Sequence, residues 1–133
     1  MNLLNMSEGA YLALHSLALI AKKQPERLSV KNLAEELNAS QAHLAKVFQK
    51  LGKAGLVTSI RGPAGGFILD RDAEKISFLD IYETIEGKVQ RCACPLGKEE
   101  CSFDECILGG EIGRLSSELY ETYGTIKLSD FAG

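Results

Sequence analysis

SVKNLAEELNASQAHLAKVFQKLGKAGLVTSIRGPAGGFIL, residues 29–69, is the stretch on which the fold turns. Ser29 is an N-cap residue, and the KNLAEELN that follows places Leu33, Ala34 and Leu37 on one side of a short helix. Asn38 and Ala39 form a turn. Ser40 caps a second helix running to about Ala54, in which Leu44, Val47, Phe48 and Leu51 are spaced for burial and Gly55 supplies the stop. The opposite face of that helix carries Gln41, His43, Lys46, Gln49 and Lys50. The period then changes: LVTSIR is β-branched and extended, GPAGG is a tight turn and FILD is a second strand, which together predict a β-hairpin.

Working outward, residues 7–21 predict a helix capped by Ser7, with Glu8 in its first turn and Leu12, Leu14, Leu17, Leu19 and Ile20 as apolar positions. Residues 22–27, with Pro25, are a linker. Ser77 followed by Asp80 has the form of a capping box and starts a helix to about Glu86. Residues 88–106 are a cysteine-rich loop, and Leu108, Ile112, Leu115, Leu119 and Tyr123 form a helical stripe. The expected fold class is mainly α with a small β-hairpin. Helix, short helix, turn, helix, hairpin is the order of a winged helix-turn-helix, placed over residues 1–87, followed by the loop 88–106 and a C-terminal segment 107–133.

The 133 residues fit one core. With 45% hydrophobic and 25% charged side chains, the chain is neither disordered nor collagen-like. The longest apolar run, 10–21, is broken by His15 and Ser16 and falls short of the ~18 residues of a membrane span. No positive charge precedes Lys22, so a secretion signal is not expected either, and the expected location is the cytoplasm. Charge is uneven: net +4 over residues 1–69 and net −7 over 70–133. Between Ser40 and Arg61 there are four cations (Lys46, Lys50, Lys53, Arg61) and no anion. A local field of one sign matters more to a phosphate than the overall balance, because screening limits its reach to ~8–10 Å.

In a winged helix-turn-helix the second helix of the pair enters the major groove of double-stranded DNA. That puts Ser40, Gln41 and His43 toward base edges and Lys46 and Lys50 on phosphates. Ser29 opens the helix that crosses the backbone and joins the set. Arg61 stands before the turn, where Gly62 and Gly65 allow close approach and the arginine can enter a narrow minor groove. Taken one at a time, the serines are ordinary caps and the glycines an ordinary turn. The ordered set is what points to DNA. No nucleophile–base pair or phosphate-binding loop suggests an enzyme.

Four cysteines stand at 92, 94, 101 and 106. In a reducing compartment such clustering means metal or redox chemistry, and thiolates select zinc, copper(I) or iron–sulfur clusters. Pro95 and Gly97 would let the loop wrap a compact inorganic centre.

Residues 29–69 resemble the IscR/NsrR/CymR-type winged-helix transcription regulators, most specifically in the wing sequence GLVTSIRGPAGGFIL. The resemblance extends through FLDIYETIEG, the cysteine loop and the terminal IKLSDF. It implies a homodimer built on the C-terminal helix, with Leu108, Ile112, Leu115 and Leu119 as its seam, bound to a partly palindromic operator. It further implies an iron–sulfur cluster, 4Fe–4S or 2Fe–2S, held by Cys94, Cys101 and Cys106. Gly109 stands where one branch of the family has a histidine ligand. The fourth ligand is then Cys92 of the same loop or, as in another branch, an acid at the start of the first helix, here the partner subunit's Glu8. The alternatives are zinc or a thiol–disulfide switch. The signal implied is redox, nitric oxide or iron–sulfur supply.

Overall fold

Ser7 stands in extended conformation and its hydroxyl oxygen accepts the Ala10 N–H at 3.2 Å, which fixes the start of α1 (Glu8–Lys23). The computed structural model describes residues 6–89, 102–107 and 110–132. α1 buries Ala10, Leu12, Ala13, Leu14, Ser16, Leu17, Ile20 and Ala21, more than one helical face, and is therefore the centre of the core.

α2 (Val30–Leu37) and α3 (Gln41–Lys53) form the expected helix pair. Ser29 and Asn32 exchange hydrogen bonds in a full capping box at the start of α2. The turn works because Asn38 takes the left-handed conformation (φ 51°), which asparagine tolerates better than most residues. Leu33 and Ala34 of α2 and Leu44, Val47, Phe48 and Leu51 of α3 enter the core shared with α1.

β1 (Val57–Ile60) and β2 (Gly66–Leu69) pair antiparallel with Val57 opposite Leu69 and Ile60 opposite Gly66. Two features lock this wing to the body. Phe67 packs tilted against Phe48 of α3 with ring centroids 4.4 Å apart, and Leu28 bridges to Phe67 as a third strand position. The bridge explains a glycine: a Cβ on Gly66 would lie 2.8 Å from the Leu28 carbonyl carbon and oxygen.

α4 (Phe78–Glu86) carries the predicted capping box, with Ser77 and Asp80 exchanging hydrogen bonds of 3.0 Å. The last long helix is α5 (Glu111–Thr125); Leu108 of the expected stripe lies outside the described residues. The chain then returns. Lys127 bridges to Ser77, Leu128 donates its N–H to the Ile76 carbonyl at 3.0 Å, and a 3-10 turn spans Leu128–Phe131. Leu128 is 0% exposed and sits in the α1 core, a burial worth ~1.5–3 kcal/mol that the pattern of the sequence did not predict.

α5 joins the body through an aromatic contact. Tyr123 meets Phe78 at 6.3 Å and Tyr82 at 5.8 Å, both edge-on, while Phe131 stacks on Phe78 at 5.5 Å. Burial raises the Tyr82 phenol above its usual pKa, and Glu86 and Tyr123 add to the effect. Tyr123 is raised as well, by burial first and then by Tyr11. The predicted class, helices with a single hairpin, is the observed one.

Candidate functional site

The sequence of α3 separates its two sides. Leu44, Val47, Phe48 and Leu51 are buried, whereas Gln41, Lys46, Gln49 and Lys50 are exposed. Ser40 acts as the N-cap, its hydroxyl oxygen accepting the His43 N–H at 3.3 Å. At the other end the Arg71 guanidinium donates to the Ala54 carbonyl at 3.2 Å. Among the described residues Lys46, Lys50 and Arg61 have no ion-pair partner, so their charges face solvent unneutralised.

The wing tip places Arg61 and Gly62 on the surface, and the Gly65 N–H closes the turn onto the Gly62 carbonyl at 2.9 Å. A Cβ on Gly62 would meet nothing within 4 Å, whereas one on Gly65 would run into the Ile60 carbonyl oxygen. Gly65 is thus required by the hairpin itself. Only Gly62 leaves open space beside Arg61.

Two predicted site residues are engaged locally. The Ser29 hydroxyl is taken up by Asn32, from which it accepts an N–H at 3.0 Å. His43 turns its ring toward the N-terminus of α1: Nδ1 lies 4.0 Å from Oε2 of Glu8. With side chains 37% and 76% exposed, this pair contributes less than ~1 kcal/mol even with a protonated imidazole. Its interest is positional, since it joins the first turn of α3 to the first turn of α1.

Of the cysteines, Cys92, Cys94 and Cys101 lie outside the described residues. Cys106 is exposed, and so are its neighbours Phe103 and Ile107. Among the described residues no three metal-ligating side chains cluster. No helix among them is long and apolar enough to cross a membrane.

The structure adds residues that the sequence reading passed over. Glu86, in the last turn of α4, accepts hydrogen bonds from both the backbone N–H of Ser7 (3.2 Å) and the Ser7 hydroxyl. Glu83, one turn earlier, accepts the Val89 N–H at 2.8 Å. A signal was available: carboxylates in the last turn of a helix oppose its dipole and need other partners.

Comparisons with known proteins agree with this arrangement along nearly the whole chain. The sequence profile of the Rrf2 family, described as an iron-dependent transcriptional regulator, matches residues 6–133. The HTH-type transcriptional regulator IscR of Vibrio vulnificus is 33% identical over 131 residues, covering 98% of this chain and 76% of the relative. Among solved structures, CymR, the global cysteine regulator of B. subtilis, superposes with a TM-score of 0.80 at 30% identity, covering 97% of this chain and 96% of that one. IscR of T. potens gives a TM-score of 0.77 at 27% identity, over 96% and 85% of the two chains.

Proposed function

Because this chain belongs to the Rrf2 family of iron-dependent transcriptional regulators, and is itself a DNA-binding transcription regulator and not an enzyme, we propose that it works as a cytoplasmic homodimer that reads a partly palindromic operator and senses through the cysteine segment. The observation that carries this reading is the acid-free α3 with exposed Lys46 and Lys50, followed in the chain by an exposed Arg61 on the wing. Gln41 and Ser40 stand at the helix end that meets base edges, Lys46 and Lys50 hold phosphates, and Arg61 enters the minor groove beside Gly62. Two such helices related by a dyad would address half-sites ~34–36 Å apart. α5, which has no buried residue among the described side chains, supplies the surface for the second copy.

The donor set suits an iron–sulfur cluster. Cys94, Cys101 and Cys106 supply soft thiolates, and the fourth position falls to Cys92 or to the partner subunit's Glu8, whose exposed side chain makes it available to another chain. When bound, the cluster supplies an inorganic centre responsive to redox poise, nitric oxide or iron–sulfur supply. The chain's own residues must then turn occupancy into operator affinity. A hundredfold change corresponds to about 2.7 kcal/mol of preference for one dimer geometry.

Anaerobic purification with a visible spectrum and iron, sulfide and zinc counts tests the cofactor. Broad absorption with iron and sulfide, lost in Cys101→Ala, supports the cluster; a colourless zinc protein or a metal-free reversible disulfide replaces it with the corresponding switch. Cys92→Ala and Glu8→Ala separate the two fourth ligands by which one lowers the iron count. For the DNA face, Lys46→Ala is expected to reduce the salt-dependence slope of binding to the protein's own upstream duplex by about 1, with a further loss in Arg61→Ala. Failure to bind that duplex at low salt in every loading state would overturn the operator reading.

A further inference from the structure

The end of α4 touches both the segment that leads into the cysteines and the helix end that faces DNA. On one side, Glu83, with its side chain only 12% exposed, accepts the Val89 N–H at 2.8 Å and lies 3.7 Å from the Lys88 ammonium. The first residues after α4 are therefore held to its last turn. On the other side, Glu86 accepts from the N–H and the hydroxyl of Ser7. Ser7 is the N-cap of α1, and its neighbour Glu8 faces His43 at 4.0 Å. His43 in turn donates its N–H to Ser40, the cap of α3. Gly9 completes the contact: a Cβ there would lie 3.5 Å from Ile85 of α4 and 3.8 Å from the His43 ring, so the first turn of α1 is flanked by α4 and α3.

We propose that Glu86 is a positioning residue, which through Ser7, Glu8 and His43 passes the placement of the chain after α4 to the DNA-facing first turn of α3. The proposal rests on the reading of the cysteine segment as the sensing element. Its contacts are polar and lie at the surface, outside the buried cluster that holds α1, α2 and α3 together. Breaking them leaves the body folded and changes only how the first turns of α1 and α3 are set. Directed hydrogen bonds at an exposed helix start suit this task, because such contacts open at far lower free energy than the core.

The test uses the full-length protein, anaerobically prepared, with and without its metal centre. Glu86→Ala removes the acceptor, while Glu86→Gln keeps an oxygen that can receive both Ser7 donors. In metal-free protein, Glu86→Ala is expected to lower amide-exchange protection at residues 41–45 by about threefold or more while the middle of α1 is unchanged. Glu86→Gln is expected to stay near wild type. In operator binding, an affinity ratio between loaded and metal-free wild type of about tenfold or more is expected to shrink to about twofold in Glu86→Ala at undiminished iron content. Unchanged protection at 41–45 overturns the proposal, and so does loss spread evenly over α1 and α3, which marks a general scaffold. An undiminished affinity ratio in Glu86→Ala overturns it as well. If wild type itself has no ratio, the sensing reading fails, and the exchange result alone decides for or against the role of Glu86.

Discussion

α1 and α5 are nearly equal in length, 16 and 15 residues, yet they stand in opposite relations to the core. α1 is enclosed by α2, α3, α4, the wing and the C-terminal turn, and half of its residues are buried. α5 packs against α4, chiefly through Tyr123, and none of its residues whose side chains are described is buried. Leu115 and Leu119 remain partly exposed, next to a surface series of Glu111, Arg114 and Glu118. Both helices are amphipathic in sequence, so an apolar stripe announces that something covers it without saying what. In α1 the cover is the same chain. In α5 the described residues of the chain supply little of it, which is the physical basis for proposing a second copy there.

Four substitutions or conditions test that contrast. The largest effect is expected for Leu17→Ala, at a fully buried position of α1: a loss of ~2–5 kcal/mol in urea unfolding, independent of protein concentration. Leu119→Asp in α5 is expected to act on association instead, raising the dimer dissociation constant about a hundredfold, or about 2.7 kcal/mol, in sedimentation velocity. Its helical circular dichroism should stay near wild type; a monomer as destabilised as Leu17→Ala would erase the distinction between the helices. Ser16 is a finer probe of α1, since its hydroxyl is fully buried with no hydrogen-bond partner among the described residues. Ser16→Ala is expected to stabilise by about 1 kcal/mol, read as a higher urea midpoint at constant slope.

The smallest effect concerns the contact that attaches α5. Tyr82 and Tyr123 have raised phenol pKa values in the folded chain. The unfolded chain therefore ionises first, near pH 10, so the contribution of these two tyrosines to stability is full below that value and is lost as pH rises above it. Tyr123→Phe is expected to flatten part of that alkaline decline in unfolding titrations. An unaltered slope would mean that the joint between α4 and α5 is looser than its ring contacts indicate.

Most of the helix-turn-helix and wing could be read from residues 29–69 because each element carries its own local signal. Ser29 and Ser40 are caps, Gly55 is a stop, and β-branched residues flank a Gly-Pro turn; these are decisions the backbone makes within a few residues. What escaped the reading is long-range. Leu128 looks like one more aliphatic in a short tail until the chain folds it under α1. The Leu28–Phe67 bridge joins positions far apart in sequence, and it gives Gly66 a packing reason that the turn motif alone did not supply. At the candidate site, the exposed cations of α3 followed from helical periodicity. The ring of His43 turned toward Glu8, and the Ser7–Glu86 contact, depend on which helices meet, and no spacing rule encodes that.

The burial of Leu128 has a consequence for how this protein comes into being. A ribosome delivers the recognition helix and wing long before the residue that closes the floor beneath α1. The core beneath α1 is thus unfinished until residues 128–131 emerge, and that turn follows directly on α5. Closing of the core around α1 is consequently tied to residues 128–131 as well as to the helix pair itself.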